Sequence, residues 1–152
     1  MTMVRPWMVG VTFAVLLAGC SSSPAPAPER GSGQVSQASP VIGPRWQVIL
    51  LGTDEGWSGE QPAYIEVEPG RGGAPRLTGS NGCNTLNGEV RFDDGNRIQI
   101  GNLASTRMAC PNADKAQRVE AMLENAYRYL IDHDRLVFFG SDSRVLGAFQ
   151  RR

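Results

Sequence analysis

Three cysteines and one histidine are the residues of this 152-residue chain best suited to covalent or metal chemistry. Cys20 follows a short apolar run, whereas Cys83 and Cys110 stand far from it along the chain. A thiol can be acylated, oxidised to a disulfide or used as a metal ligand, and the histidine, His133, can act as a base or a ligand. The residues around each side chain decide between these chemistries.

The residues before Cys20 predict a cleaved export signal over residues 1–19. Arg5 precedes an apolar segment of about eleven residues, and two small residues stand directly before the cysteine. This order of positive charge, apolar run and small residues is typical of a secretory signal. The run is much shorter than the ~20 residues that cross a bilayer as a helix. We therefore expect the segment to be removed rather than to serve as an anchor.

The segment Leu17-Ala18-Gly19-Cys20 resembles the lipobox of bacterial lipoproteins. The resemblance implies cleavage before Cys20, a thioether-linked diacylglycerol on its sulfur and acylation of the new amino terminus, for example by palmitate. Two or more acyl chains attach a protein stably to a membrane. Ser21, which is not Asp, favours the outer membrane by resemblance to known sorting rules, with the domain facing the periplasm. The alternatives are an ordinary signal peptide with an incidental cysteine, and a domain that faces the cell exterior.

The composition of the remaining chain excludes several classes of partner. Loss of residues 1–19 removes one of the 15 basic residues and none of the 15 acidic ones. The nearly neutral charge argues against nucleic acid, and no Lys/Arg cluster predicts recruitment to an acidic membrane surface. Residues 20–44 read as a lipidated cysteine and a disordered Ser/Pro/Ala-rich tether, with a reach of about 27 Å as a coil and about 75 Å when extended. Residues 45–152 then form one domain with a single modest core.

Alternating apolar patterns in residues 45–152 predict about eight short strands. The sequence DDGN at residues 93–96 is typical of a hairpin turn, so we expect an antiparallel meander. The predicted strands cover residues 46–51, 63–68, 76–79, 88–92, 97–100, 129–131, 136–139 and 145–150.

One amphipathic helix is predicted from Asp114 onward. Asn112 or Asp114 is expected to cap it, with Gln117 in capping-box register. A single helix packed on an antiparallel sheet, without alternation of strands and helices, is an α+β fold. The stripe that predicts the helix consists of apolar residues at steps of three and four, namely Ala116, Val119, Met122, Leu123, Ala126 and Tyr127.

Two cysteine-containing segments stand out from this scaffold: NGCNTLNG at residues 81–88 and ASTRMACP at residues 104–111. Together with residues 46–52, Glu120 and residues 129–138, they resemble the META domain of the HslJ-like heat-shock lipoproteins. The resemblance covers nearly the whole predicted domain. It implies an association with stress response and drug tolerance, and the family's motifs carry no assigned catalytic reaction. The chain departs from the family's pattern at Asn81, where Ser is usual, at His133, where Gly is common, and in a polar insert over residues 55–61.

Cys83 and Cys110 are the cysteines that remain once Cys20 is acylated. In an oxidising compartment, such a pair is most simply a disulfide, which would stabilise the domain by about 3.5 kcal/mol in the chain-entropy model. Zinc binding is the alternative, but the C-x-x-C doublets and partner histidines of a zinc site are missing. A redox role would also call for a C-x-x-C motif. We predict no metal and no cofactor.

The polar residues of the domain predict structure rather than catalysis. His133 lies between two aspartates and reads as a solvated turn residue, and no G-x-S-x-G arrangement supplies a nucleophile. Asn84 and Asn87 suggest turn chemistry. Arg107 is expected to pair with the helix residue Glu120, or to make a backbone contact. We therefore expect the domain not to be an enzyme.

The residues predict a binding surface by motif character alone, formed by Asn81, Asn84, Arg107 and Met108. The favoured hypothesis is a non-catalytic envelope lipoprotein that contributes to stress or drug tolerance by binding a partner. One alternative is an inhibitor or chaperone-like partner of a periplasmic protein. The other is a hydrolase, for which the sequence offers no set of acid, base and nucleophile.

Overall fold

A computed structural model describes residues 39–152 of the chain. The predicted signal at residues 1–19, the lipidation site Cys20 and most of the predicted tether lie outside these residues. The elements are β1 (Arg45–Leu51), β2 (Glu55–Gly56), β3 (Ala63–Glu68), β4 (Arg76–Asn81), β5 (Thr85–Asp93), β6 (Arg97–Ser105), α1 (Ala113–Glu124), β7 (Arg128–Asp132), β8 (Arg135–Phe139) and β9 (Val145–Arg151).

The nine strands form one antiparallel sheet in which β3 lies beside β1 and each strand from β4 to β9 lies beside its predecessor in sequence. The predicted α+β class with an antiparallel meander is confirmed. The sequence did not predict that β1 also pairs with β9, with Trp46 opposite Arg151 and Leu51 opposite Gly147. This pairing closes the sheet into a barrel. The short strand β2, within the polar insert, pairs with the C-terminal end of β1.

The core fills the inside of the barrel because each strand buries alternate residues. In β5, every second residue from Leu86 to Phe92 is buried, while the residues between them face solvent. The rings of Phe138 and Phe149 meet edge to face on neighbouring strands, with centroids 5.0 Å apart. Such edge-to-face contacts between inward-facing rings add to the packing of the core.

The helix α1 covers the end of the barrel where β1 and β4 finish. Its predicted apolar stripe is largely confirmed, since Ala116, Val119, Met122 and Leu123 are buried. Gly147 permits the close approach, because a Cβ at this position would collide with the sulfur of Met122 and the carbonyl oxygen of a neighbouring strand. The helix thus docks through one face, as the periodicity predicted.

The two ends of α1 differ from the prediction. Asn112 is the N-cap residue, but its side chain makes no capping hydrogen bond, and Asp114 lies inside the first turn. The predicted capping box is therefore wrong. At the other end, Ala126 and Tyr127 lie beyond the helix, because Asn125 donates both its backbone N–H and its side-chain amide to the carbonyl of Ala121 and ends the helix there.

Residues 39–44 pack against the opposite end of the barrel, where β1 begins and β3 ends. Val41 is fully buried, and its carbonyl accepts a hydrogen bond of 3.0 Å from the indole of Trp46. The Gly43 N–H donates to the carbonyl of Val67, and the hydroxyls of Ser39 and Tyr129 are 3.0 Å apart. The packed chain therefore includes six residues that the sequence analysis assigned to the tether. Val41 and the adjacent Ile42 pack against the core, and the composition of the surrounding segment does not indicate this.

Candidate functional site

The two cysteine-containing motifs meet at the end of the barrel that α1 covers. The first motif forms the turn between β4 and β5, and the second continues β6 towards the helix. They are neighbours because β5 and β6 are paired, with Leu86 opposite Ser105. The sulfurs of Cys83 and Cys110 lie at disulfide-bonding distance, with Cα atoms 6.0 Å apart. The pair joins the β4–β5 turn to the segment before the helix.

Asn81 organises the first motif from a fully buried position. Its side-chain oxygen accepts hydrogen bonds from the backbone N–H groups of Cys83 at 2.9 Å and Asn84 at 2.6 Å. Its side-chain nitrogen donates to the carboxylate of Glu120 at 2.6 Å. The expected ion pair of Glu120 with Arg107 is not formed, and the carboxylate accepts the Asn81 amide hydrogen bond. Asn81 thereby shapes the turn and ties it to α1.

Asn84 joins the first motif to the second. Its side-chain oxygen accepts hydrogen bonds from the Met108 N–H at 2.7 Å and the Thr106 hydroxyl at 3.2 Å. The Thr106 hydroxyl oxygen also accepts a hydrogen bond from the backbone N–H of Thr85. Asn87, which was expected to share this turn chemistry, instead lies exposed within β5.

Gly82 occupies a position that only glycine fits. Its φ is +89°, in the left-handed region, and a Cβ would collide with the ring of Trp57. The indole nitrogen of Trp57 donates to the carbonyl of Gln61 at 3.1 Å. The polar insert therefore lies against the first motif. It also contacts the helix, since Glu55 pairs with Arg118 and Ser58 with Lys115.

A cavity of about 320 Å³ opens between the second motif and the helix. All four residues predicted for the binding surface line it, but their roles differ. The side chains of Asn81 and Asn84 are used in the hydrogen bonds described above, whereas Arg107 and Met108 face solvent. Met108 is 62% exposed, the largest exposed fraction among the large apolar side chains of residues 39–152. The cavity thus presents a flexible apolar side chain beside a guanidinium group.

The helical wall of the cavity was not predicted. It is formed by Ala113, Ala116, Gln117 and Glu120, which lie on one face of α1 because they are three or four residues apart. Helical spacing from Glu120 back to Ala113 could have identified this face.

His133 lies elsewhere, in the exposed turn between β7 and β8 at the opposite end of the barrel, with its Nδ1 2.6 Å from the carboxylate of Asp132.

Within residues 39–152, no group of three or more His, Cys, Asp or Glu residues converges as metal ligands. The helix there is too short and too polar to cross a membrane.

Comparison with known proteins identifies the family through residues 39–152, which match the META domain. An NMR structure of a protein from Burkholderia xenovorans is similar to this chain, with a TM-score of 0.59 and 20% sequence identity. The match covers 90% of this chain and 99% of the Burkholderia protein. A second NMR structure matches with a TM-score of 0.54 and 19% sequence identity. This match covers 70% of the present chain and 87% of the second protein. At these identities the similarity concerns the fold. No curated protein matches the sequence.

Proposed function

The chain belongs to the META domain family, and on this premise we propose that it is an envelope lipoprotein whose domain binds a partner protein without catalysing a reaction. The observation that carries the proposal is the cavity at which both motifs meet, with Met108 and Arg107 exposed at its rim. Methionine and arginine are enriched in protein interfaces relative to the rest of the surface. The family resemblance supports a contribution to stress or drug tolerance.

Anchoring through Cys20 at the outer membrane, with the domain in the periplasm, is part of the proposal. The predicted tether would join the domain at Ser39, at the end of the barrel opposite the cavity. A lipid on Cys20 would connect to the domain through the predicted tether, which would let the domain stand away from the membrane. The rim with Arg107 and Met108 would then stay open to a partner.

Binding is tested by site-specific photo-crosslinking in living cells. A photo-reactive amino acid at position 108 is expected to capture one stoichiometric partner. The matched control is the same amino acid at Leu130, which is 50% exposed but lies on β7, outside the cavity. Equal crosslinking from both positions, or none from position 108, would count against the cavity as the binding surface.

The link to tolerance is tested in a strain that lacks the protein. The double variant Arg107→Ala/Met108→Ser is expected to reach wild-type levels but to fail to restore growth under envelope stress. Full restoration by this variant would contradict the proposal. Turnover by the purified protein in a broad hydrolase screen, lost in the same variant, would replace binding by catalysis.

Anchoring is tested by comparing cysteine variants. Cys20→Ala should abolish lipid labelling and membrane fractionation, because the acylated thiol is lost. The control Cys83→Ser/Cys110→Ser should keep both properties. A Cys20→Ala protein that still fractionates with membranes in high salt would overturn the lipoprotein assignment.

A further inference from the structure

The second motif extends β6 along an edge that no strand covers within residues 39–152. β6 pairs with β5 along most of its length, but with β7 only at its first residue, Arg97. Residues 106–110 continue from β6 without a turn or bend. Residues 105–109 of this stretch line the cavity together with residues of α1. Such a free edge is a template for pairing with another extended chain.

The hydrogen bonds of this segment alternate as in a strand. The N–H groups of Thr106 and Met108 donate towards β5, to the carbonyl of Thr85 and the side chain of Asn84. The N–H groups of Arg107 and Ala109 donate to no acceptor within residues 39–152. In an extended chain, neighbouring N–H groups point to opposite edges. The two free donors of this cavity-lining segment therefore point away from β5.

The opposite wall leaves room for a backbone. Ala113 and Ala116 contribute only methyl groups, and Gln117 adds an amide that can donate to or accept from a peptide. The cavity volume, about 320 Å³, lies at the lower end of the range of roughly 300–1,000 Å³ for ligand sites. The groove between residues 105–109 and α1 thus has a hydrogen-bonding edge on one side and a shallow wall on the other.

Charge indicates what such a peptide would carry. The charged residues that line the cavity are Arg107, which is exposed, and Glu120, which is partly buried and accepts a hydrogen bond from the Asn81 amide. Arg107 makes no ion pair with any residue from 39 to 152. An acidic side chain on the incoming strand would complement the guanidinium.

We propose that this groove binds an extended segment of the partner protein by strand addition, pairing with the backbone at Arg107 and Ala109 and placing an acidic side chain at Arg107. The inference rests on the proposed binding function and specifies its mode. In strand addition, main-chain hydrogen bonds supply affinity and side-chain contacts supply specificity.

The test uses phage-displayed random peptides selected on the full-length chain purified in detergent. Selected peptides are expected to contain an acidic residue and to lose about threefold to fivefold in affinity on Arg107→Ala, as for an exposed ion pair. Each peptide is then made in two N-methylated forms. One form carries methyl groups on the odd-numbered backbone nitrogens, and the other carries them on the even-numbered ones. One form should bind about tenfold more weakly than the other, because only one set of N–H groups faces the strand edge.

Two tryptophan variants locate the site. Ala113→Trp fills the groove and should reduce affinity at least about tenfold. Ala121→Trp places the same side chain on the exposed face of α1 and should leave affinity unchanged. Thermal unfolding of both variants checks that the fold is retained.

Several results would overturn strand addition. One is that the selected peptides bind the Ala113→Trp variant with unchanged affinity. Another is that both methylated forms of a peptide lose the same affinity. A third is that the library yields no peptide whose binding depends on the groove. A dimer dissociated by Ala113→Trp would assign the groove to a second copy of the chain instead. If such a failure accompanied a specific crosslink from position 108 in cells, the binding function would stand and only its mode would be rejected.

Discussion

At the scale of single residues, the motifs contain two groups with different tasks. Asn81 and Asn84 turn their amides inward and hold the two motifs in place, while Arg107 and Met108 are presented at the rim. Asparagine suits the inward task because it carries an acceptor oxygen and donor hydrogens in one short side chain. The residues that build the site are thus distinct from those that are free to contact a partner.

Removal of the Asn84 side chain tests its role in holding the two motifs together. Asn84→Ala deletes the acceptor of Met108 N–H and of the Thr106 hydroxyl, so we expect a loss of about 1–3 kcal/mol in the free energy of unfolding. The matched control Asn87→Ala removes an exposed amide on β5 and should change stability by less than about 0.5 kcal/mol. Urea denaturation measures both, and similar values for the two variants would contradict the assigned role of Asn84.

At the scale of elements, the segment between β6 and α1 has one backbone hydrogen bond to β5, from Thr106 to Thr85, and is otherwise held by side chains. The Asn84 amide holds it near Met108, and the Cys83–Cys110 disulfide holds it just before the helix. Its order therefore depends on a few contacts, which can be removed singly.

Reduction of the disulfide should expose this segment to trypsin at Arg107. In oxidised protein, we expect slow cleavage there and fast cleavage at Arg71, which lies in an exposed loop. Dithiothreitol, or Cys83→Ser/Cys110→Ser, should accelerate cleavage at Arg107 and leave the rate at Arg71 unchanged. Arg91, within β5, reports global unfolding and should stay protected. Mass spectrometry of the digest measures all three sites, and an unchanged rate at Arg107 would show that the disulfide does not order the segment.

The docking of α1 gives a prediction at the same scale. Leu123 is fully buried, so Leu123→Ala should reduce the free energy of unfolding by about 2–5 kcal/mol through lost burial and a residual cavity. Glu124→Ala, on the exposed side of the same helix, should stay within about 0.5 kcal/mol. Equal and small effects in denaturant titrations would mean that the helix does not dock through this face.

At the scale of the whole molecule, both ends of the barrel are covered, but the cavity lies at only one of them. The helix covers one end and forms a wall of the cavity, while residues 39–44 cover the other. The β1–β9 pairing joins the first and last strands of the domain, so both termini of the described chain meet near one end. The cavity therefore lies at the end away from the chain's entry.

The cover formed by residues 39–44 predicts that stability depends on a residue before the first strand. Val41→Ala shortens a fully buried side chain by two carbon atoms. We expect it to lower the free energy of unfolding by about 1.5–3 kcal/mol. Pro40→Ala, at an exposed neighbour, should cost less than about 1 kcal/mol. If thermal and urea unfolding are unchanged by Val41→Ala, the folded domain begins at β1, as the sequence pattern alone suggested.

Local pattern was sufficient for much of this protein. Alternation over residues 63–68 predicted β3 with its bounds, and the helical stripe identified Val119, Met122 and Leu123 as core residues. The two motifs carried the family resemblance. These features depend on which face of one element is apolar, so neighbouring residues determine them.

Only the tertiary structure decided how these parts meet. Closure through β1 and β9, the burial of Val41 and the bond between Asn81 and Glu120 join residues far apart in the chain. No local periodicity encodes such pairings, because they depend on barrel closure and on which polar groups are left to satisfy one another. The sequence by itself determined the elements and the motif positions, whereas packing decided which motif residues became internal supports and which remained open at the cavity.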